Sequence, residues 1–127
     1  MINIHEKIQV EQHIFYVEDN ILHIISNGDT DEKTAIRIKK VILKFFGARS
    51  KTNIFVDMNN FGKITPEARR IAKEVMNDEK TGYIAFVGNH PVARVIAEFL
   101  MLISGNKKSR FFSNPEEALQ WLKTDSL

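Results

Sequence analysis

Short apolar runs alternate with longer amphipathic ones along this chain, and the change of period separates the elements. The runs HIFYV (13–17) and ILHII (21–25) are short, β-branched and aromatic, and EDN between them has turn chemistry, which predicts a β-hairpin. A helical period then runs from Thr30 to Phe46, with Asp29 and Glu32 spaced as a capping box and Gly47 closing the element. Residues 53–58 (NIFVDM) form a buried strand. Thr65 is placed as an N-cap with Pro66 at the first helical position, where the missing amide costs nothing. Ala68, Ile71, Ala72, Val75 and Met76 make one stripe of that helix. YIAFVG (83–88) is the next strand, HPVARVIAEFLMLIS (90–104) the next helix and SRFFS (109–113) a fifth strand. A last helix opens at Asn114, Pro115 and Glu117, repeating the cap, proline and glutamate start.

The predicted order is β-β-α-β-α-β-α-β-α, an α/β chain with a mixed, mostly parallel five-stranded sheet and four packed helices. Residues 13–127 read as a single domain. Residues 1–12, with Ile2, Ile4, Ile8 and Val10, read as an N-terminal arm or an edge strand.

Composition narrows the function classes. A length of 127 residues suits one domain, able to bury roughly 65% of its unfolded surface. A net charge of +2 is too balanced to imply nucleic acid, and no nucleic-acid partner is expected. The absence of cysteine excludes disulfides, thiolate metal sites and cysteine nucleophiles, and it suits the cytoplasm. The longest apolar run, Phe99 to Ile103, is far short of the ~20 residues that cross a bilayer. The start MINIHEKIQV has no signal-peptide core, so a cytoplasmic protein is expected.

In an open α/β sheet, the loops after the carboxyl ends of parallel strands gather on one edge. Here they carry Asp57, Asn59 and Asn60, then Asn89 and His90. Asp57 and His90 have the residue types of an acid–base pair. Turn formation by Asp57 and helix capping by His90 or Asn89 explain them better, and no serine or cysteine nucleophile lies in these loops. GNHP and NNFGK each hold one glycine, and neither has the form of a phosphate loop. His5, His13, His23 and His90 show no metal-ligand spacing, so neither metal nor cofactor is expected.

Two surfaces stand out. Lys33, Arg37, Lys40 and Lys44 line one helical face, and no acidic residue lies between Lys33 and Val56. Such a stripe is either a solvated face or a contact for an acidic protein, a membrane surface or nucleic acid, and the overall charge balance speaks against the last. In the 90–104 helix, Val92, Val95, Ile96, Phe99 and Ile103 suffice to face the sheet. Ala93, Ala97, Leu100 and Met101 are then left for the C-terminal helix, with Trp121 and Leu122, or for another molecule. Phe61 stands at a loop tip, as a partner anchor or as a lid folded back on the sheet edge.

NIFVDMNNFGKITPEARR, AFVGNHPVARVIAEFL and SRFFSNPEEALQWLK together resemble the STAS superfamily, and within it the SpoIIAA-like group related to anti-sigma-factor antagonists. The resemblance implies a mixed sheet opened by a hairpin, and a non-enzymatic module that binds protein partners or, in some members, small ligands. Signalling members are phosphorylated on a serine at the start of the helix after the third strand. Here TPEA falls at that place, with Thr65 for the acid and Pro66 for the phosphoacceptor, so the usual switch is not expected.

The first functional expectation is therefore a regulatory homodimer. It would self-associate through Ala93, Ala97, Leu100 and Met101, with a binding edge of Asp57, Asn59, Asn60, Phe61, Thr65, Asn89 and His90. The alternative is a lipid or small-ligand carrier of SEC14-like type, its basic stripe resting on an anionic membrane. An enzyme using Asp57 and His90 ranks third.

Overall fold

The computed structural model describes residues 6–49 and 51–124. Among them, strands β1 (Ile8–Val10), β2 (His13–Glu18), β3 (Ile21–Ile25), β5 (Thr52–Asp57), β7 (Thr81–Val87) and β8 (Ser109–Phe112) form one sheet in the order β1-β2-β3-β5-β7-β8. The first three run antiparallel, and β3, β5, β7 and β8 are parallel. The β2–β3 hairpin turns on Asp19 and Asn20, both with positive φ, the handedness that a two-residue hairpin turn requires. Part of the segment 1–12 thus supplies the edge strand β1, and residues 1–5 lie outside the described residues.

Two further strands, β4 (Gly28–Thr30) and β6 (Phe61–Ile64), pair in parallel as a separate two-stranded sheet, so the described residues hold eight strands rather than five. Gly62 allows this pairing, because a Cβ there would stand 2.9 Å from the Gly28 carbonyl carbon and closer still to the Asp29 carboxylate. Asp29 is consequently not the helix cap: its carboxylate accepts from the Lys63 amide at 2.7 Å. Helix α1 (Glu32–Phe46) is capped by Asp31, which accepts from the Thr34 amide at 2.8 Å. The spacing of Asp29 and Glu32 has the form of a capping box, but the pairing of β4 with β6 takes Asp29 and leaves the cap to Asp31.

Strand alternation divides the apolar side chains into two cores. On one face, Leu22, Ile24, Ile54, Ile84 and Phe86 meet α1, α2 (Pro66–Met76) and α3 (Pro91–Ser104). On the other, Ile21, Phe55, Ala85, Val87 and Phe112 meet Ala118 and Leu122 of α4 (Pro115–Thr124). Trp121 sits edge-on to Tyr83 at 5.5 Å and tilted against Phe112, so it belongs to this second core and does not cap the apolar surface of α3.

Helix α3 is rotated from the sequence expectation. Ala93, Ala97 and Leu100 are buried and Met101 is half-buried, so the face assigned to self-association is the one that packs inward. Val92, Val95, Phe99 and Leu102 are instead 58%, 64%, 40% and 78% exposed. The cause is close approach. A Cβ on Gly88 would stand 2.8 Å from Cβ of Ala93, so the helix start lies against the end of β7, where only small side chains fit. Sheet side chains such as Phe86 fill the volume that bulky α3 residues were expected to fill.

The rotation predicts opposite outcomes two positions apart. Leu100→Glu buries an unpaired carboxylate and should cost more than about 3 kcal/mol. Leu102→Glu should stay within about 0.5 kcal/mol of the parent when both are compared at concentrations low enough to be monomeric. Urea unfolding of both variants checks it, and similar losses in the two would contradict this orientation of α3.

Candidate functional site

At the carboxyl edge, two loops are tied together through Asn59. Its backbone N–H and its side-chain amide both donate to one Asp57 carboxylate oxygen, at 3.0 and 3.1 Å. Its side-chain oxygen accepts from the Asn89 amide at 3.0 Å. His90 completes the chain of bonds. Its Nδ1 accepts from the Ala93 amide at 3.2 Å as the N-cap of α3, which leaves Nε2 as the protonated nitrogen, donating to the Asn59 carbonyl at 3.1 Å. Asp57 and His90 thus meet only through Asn59, and both imidazole nitrogens hold structural bonds. The edge works as a staple between strand ends.

The other expected edge residues go elsewhere. Asn60 exposes its side chain and uses its carbonyl to accept from Gly28. Thr65 caps α2, its hydroxyl accepting from the Ala68 amide at 3.2 Å while its own amide bonds to Thr30 in β4. Phe61 is half-buried at the start of β6 and lines the cleft described below. Among the described residues no group of three or more His, Asp or Glu is placed to hold a metal ion.

The basic stripe is partly compensated across the fold. Arg37 meets Glu11 of the β1–β2 turn at 2.7 Å, a partner distant in sequence. Lys33, Lys40 and Lys44 are exposed. Among the described residues no helix is long and apolar enough to cross a membrane.

An apolar cleft of about 130 Å³ lies between the first sheet face and helices α1 and α2. Ile24, Ile54 and Val56 line its sheet side, Ile38 and Ile42 its α1 side, and Ile71 and Val75 its α2 side. The polar side chains on its wall are already engaged. Ser26 and Thr30 hydroxyls bond to the two ring nitrogens of buried His13, at 3.1 and 3.3 Å, and Lys39 bonds to Glu74 at 2.9 Å. Sequence reading missed this cleft. Its one trace there is the small residues Ala35, Ala68 and Ala72 on helices that face each other.

This architecture, a mixed sheet with three helices on one face and one on the other, is a SpoIIAA-like fold. An uncharacterized protein of the DUF3478 family from Shewanella loihica PV-4, itself of SpoIIAA-like fold, aligns with a TM-score of 0.66 over 96% of this chain and 98% of that chain. At 11% identity the likeness speaks of fold alone. Residues 15–125 match the domain of unknown function DUF7793, and the chain belongs to that family. No curated protein matches the chain in sequence.

His90→Ala removes the α3 cap and one end of the staple and should cost about 1–2 kcal/mol, whereas His90→Asn, itself a good cap, should recover more than half. Equal losses in chemical unfolding would show that the cap bond contributes nothing.

Burial lowers the pKa of His13, against partial opposition from the Asp29 backbone and the Glu11 charge. Burial also lowers that of His23, which stacks on Tyr16 at 4.8 Å. The unfolded chain therefore binds these protons more readily than the folded one. The stability from burying both rings neutral is present above the ordinary value of about 6.5 and is lost as pH falls below it. The urea midpoint should drop between about pH 7.5 and about pH 5.5, and drop less in His23→Phe. A midpoint flat over that range would mean that both rings titrate in the fold as they do in the unfolded chain.

Proposed function

We propose that this chain is a non-enzymatic regulatory module that works by binding protein, in the first instance a second copy of itself. The observation that carries the reading is the exposed stripe Val92, Val95, Phe99 and Leu102 on one side of α3. Its spacing of three, four and three residues makes it continuous. Soluble domains rarely leave such a run uncovered unless it meets another surface.

The charges beside the stripe suit self-pairing. Arg94 and Glu98 lie 3.8 Å apart along its flank, and an antiparallel pair of α3 helices brings Arg94 of one copy beside Glu98 of the other. Arg69 of α2 lies over the Phe99 ring at 5.1 Å and extends the contact surface toward α2. A stable dimer needs roughly 1,200 Å² or more of buried surface, so the interface includes these flanks as well as the four apolar side chains. The engagement of Asp57 and His90 in the staple supports a binding role over a catalytic one. The place of Pro66 at the start of α2 supports regulation without a phosphorylated serine there.

Light scattering coupled to size exclusion tests the reading. The parent is expected as a dimer, and Val95→Glu with Leu102→Glu as a folded monomer by circular dichroism. A parent that stays monomeric at high micromolar concentration, or a double variant that keeps the dimer mass, rejects self-association through α3.

A further inference from the structure

We infer that the cleft beneath α1 and α2 is a binding site for an aliphatic chain, taken up through the seam between these two helices. The proposal is independent of the α3 interface. Three observations carry it: the size of the cleft, the chemistry of its wall and the way it is closed.

The volume, about 130 Å³, is close to that of engineered apolar cavities of ~150 Å³ that stay dry and take up benzene-sized guests. By size alone it would also hold water. A buried water needs two or more polar partners, however, and this wall is almost wholly apolar, its Ser26 and Thr30 hydroxyls turned to His13 and its Lys39 to Glu74. The site therefore favours a guest that asks for no hydrogen bonds. Isoleucine and valine are the commonest residues of its wall, with Phe61 and Phe86 as its aromatic members, which suits an alkyl chain better than a planar ring stacked between aromatic faces. The cleft takes the last few methylenes of such a chain.

Closure is electrostatic and weak. Two ion pairs join α1 to α2: Lys39 to Glu74 at 2.9 Å and Glu32 to Arg70 at 3.6 Å. All four side chains are at least one-third exposed, so each pair contributes little and is screened by salt. Lys39 is itself a lining residue, which places the mouth of the cleft at this seam. Two cations face two carboxylates there, so the mouth selects the chain and not the charge of its head group.

Methyl-detected NMR with 1-hexanol as the probe tests the site. Saturable shifts are expected for methyls of Ile38, Ile54, Val56, Ile71 and Val75. Ala72→Leu, at a half-buried position on the wall, should fill the cleft, raise the melting temperature and weaken hexanol binding at least ten-fold. Val75→Ile, which adds a single methylene, is the gentler filling variant should Ala72→Leu fail to fold, with weaker binding again expected. Glu74→Gln should speed exchange of the bound probe. Shifts on mixing with phosphatidylcholine vesicles would assign a lipid chain, and shifts with hexanol alone a free amphiphile. Shifts with neither, or filling variants that bind as the parent does, overturn the site, and unchanged exchange in Glu74→Gln overturns the seam as its mouth. Loss of the dimer in Val95→Glu with Leu102→Glu would leave these methyl shifts intact, so the two proposals fail separately.

Discussion

Everything in this molecule depends on covering the parallel strands β3, β5 and β7 on both faces. Parallel strands in the middle of a sheet are apolar on either side and do not tolerate water against one of them. The chain meets that demand unequally, with α1, α2 and α3 on one face and α4 alone on the other. The single helix suffices because its face is small and aromatic: Ala85 and Ala118 approach closely, and Trp121 bridges Tyr83 and Phe112. On the three-helix face the fit is less complete. Alanines at 35 and 68 bring α1 and α2 together at one end, and the cleft remains where larger side chains would have met.

The same constraint explains why the polar edge is a staple. Strand ends at Asp57 and Val87 must be held in register while the chain turns into β6 and into α3. Asn59 does this with bonds to Asp57, Asn89 and His90. The backbone bond from Met58 to Val87 at 2.7 Å lies beside it. Once α3 is fixed at its first turn by the His90 cap and the contact of Ala93 with Gly88, its rotation is set for its whole length. The exposure of Val95 and Leu102 is thus a consequence of one glycine at the end of β7.

Much of this was legible in the residues themselves. The hairpin, the parallel strands, the cap at Thr65, a cap at Asn89 or His90 and the alternation of strands and helices follow from local period and turn chemistry, which tertiary contacts left in place. The small sheet of β4 and β6 was not legible. It joins three residues to four across more than thirty positions, and its only local sign, Gly62, reads equally well as a turn glycine. The orientation of α3 was not legible either, because a helix apolar on most of its circumference has no periodicity to orient it. Deciding which side goes inward needs the distance to the sheet, which the Gly88–Ala93 contact sets. The compensation of Arg37 by Glu11 was hidden for the same reason, since the two are neighbours only after the β1–β2 turn folds over α1.

The two apolar features are connected through one helix. Leu100 stands in the wall of the cleft on the inner side of α3, and Phe99 and Leu102, its neighbours in sequence, lie on the outer stripe. A guest in the cleft therefore touches the back of the surface proposed to bind protein. If filling the cleft shifts α3 toward one of two packings, it changes the affinity of the stripe for its partner, and the partner changes the affinity of the cleft by the same factor. If α3 is held rigidly by its cap and by Gly88, the two sites are uncoupled. The His90 cap is therefore more than a stabilising bond, because its strength decides which of the two cases holds, and so whether movement on the inner side of α3 at Leu100 reaches the outer stripe at Val95.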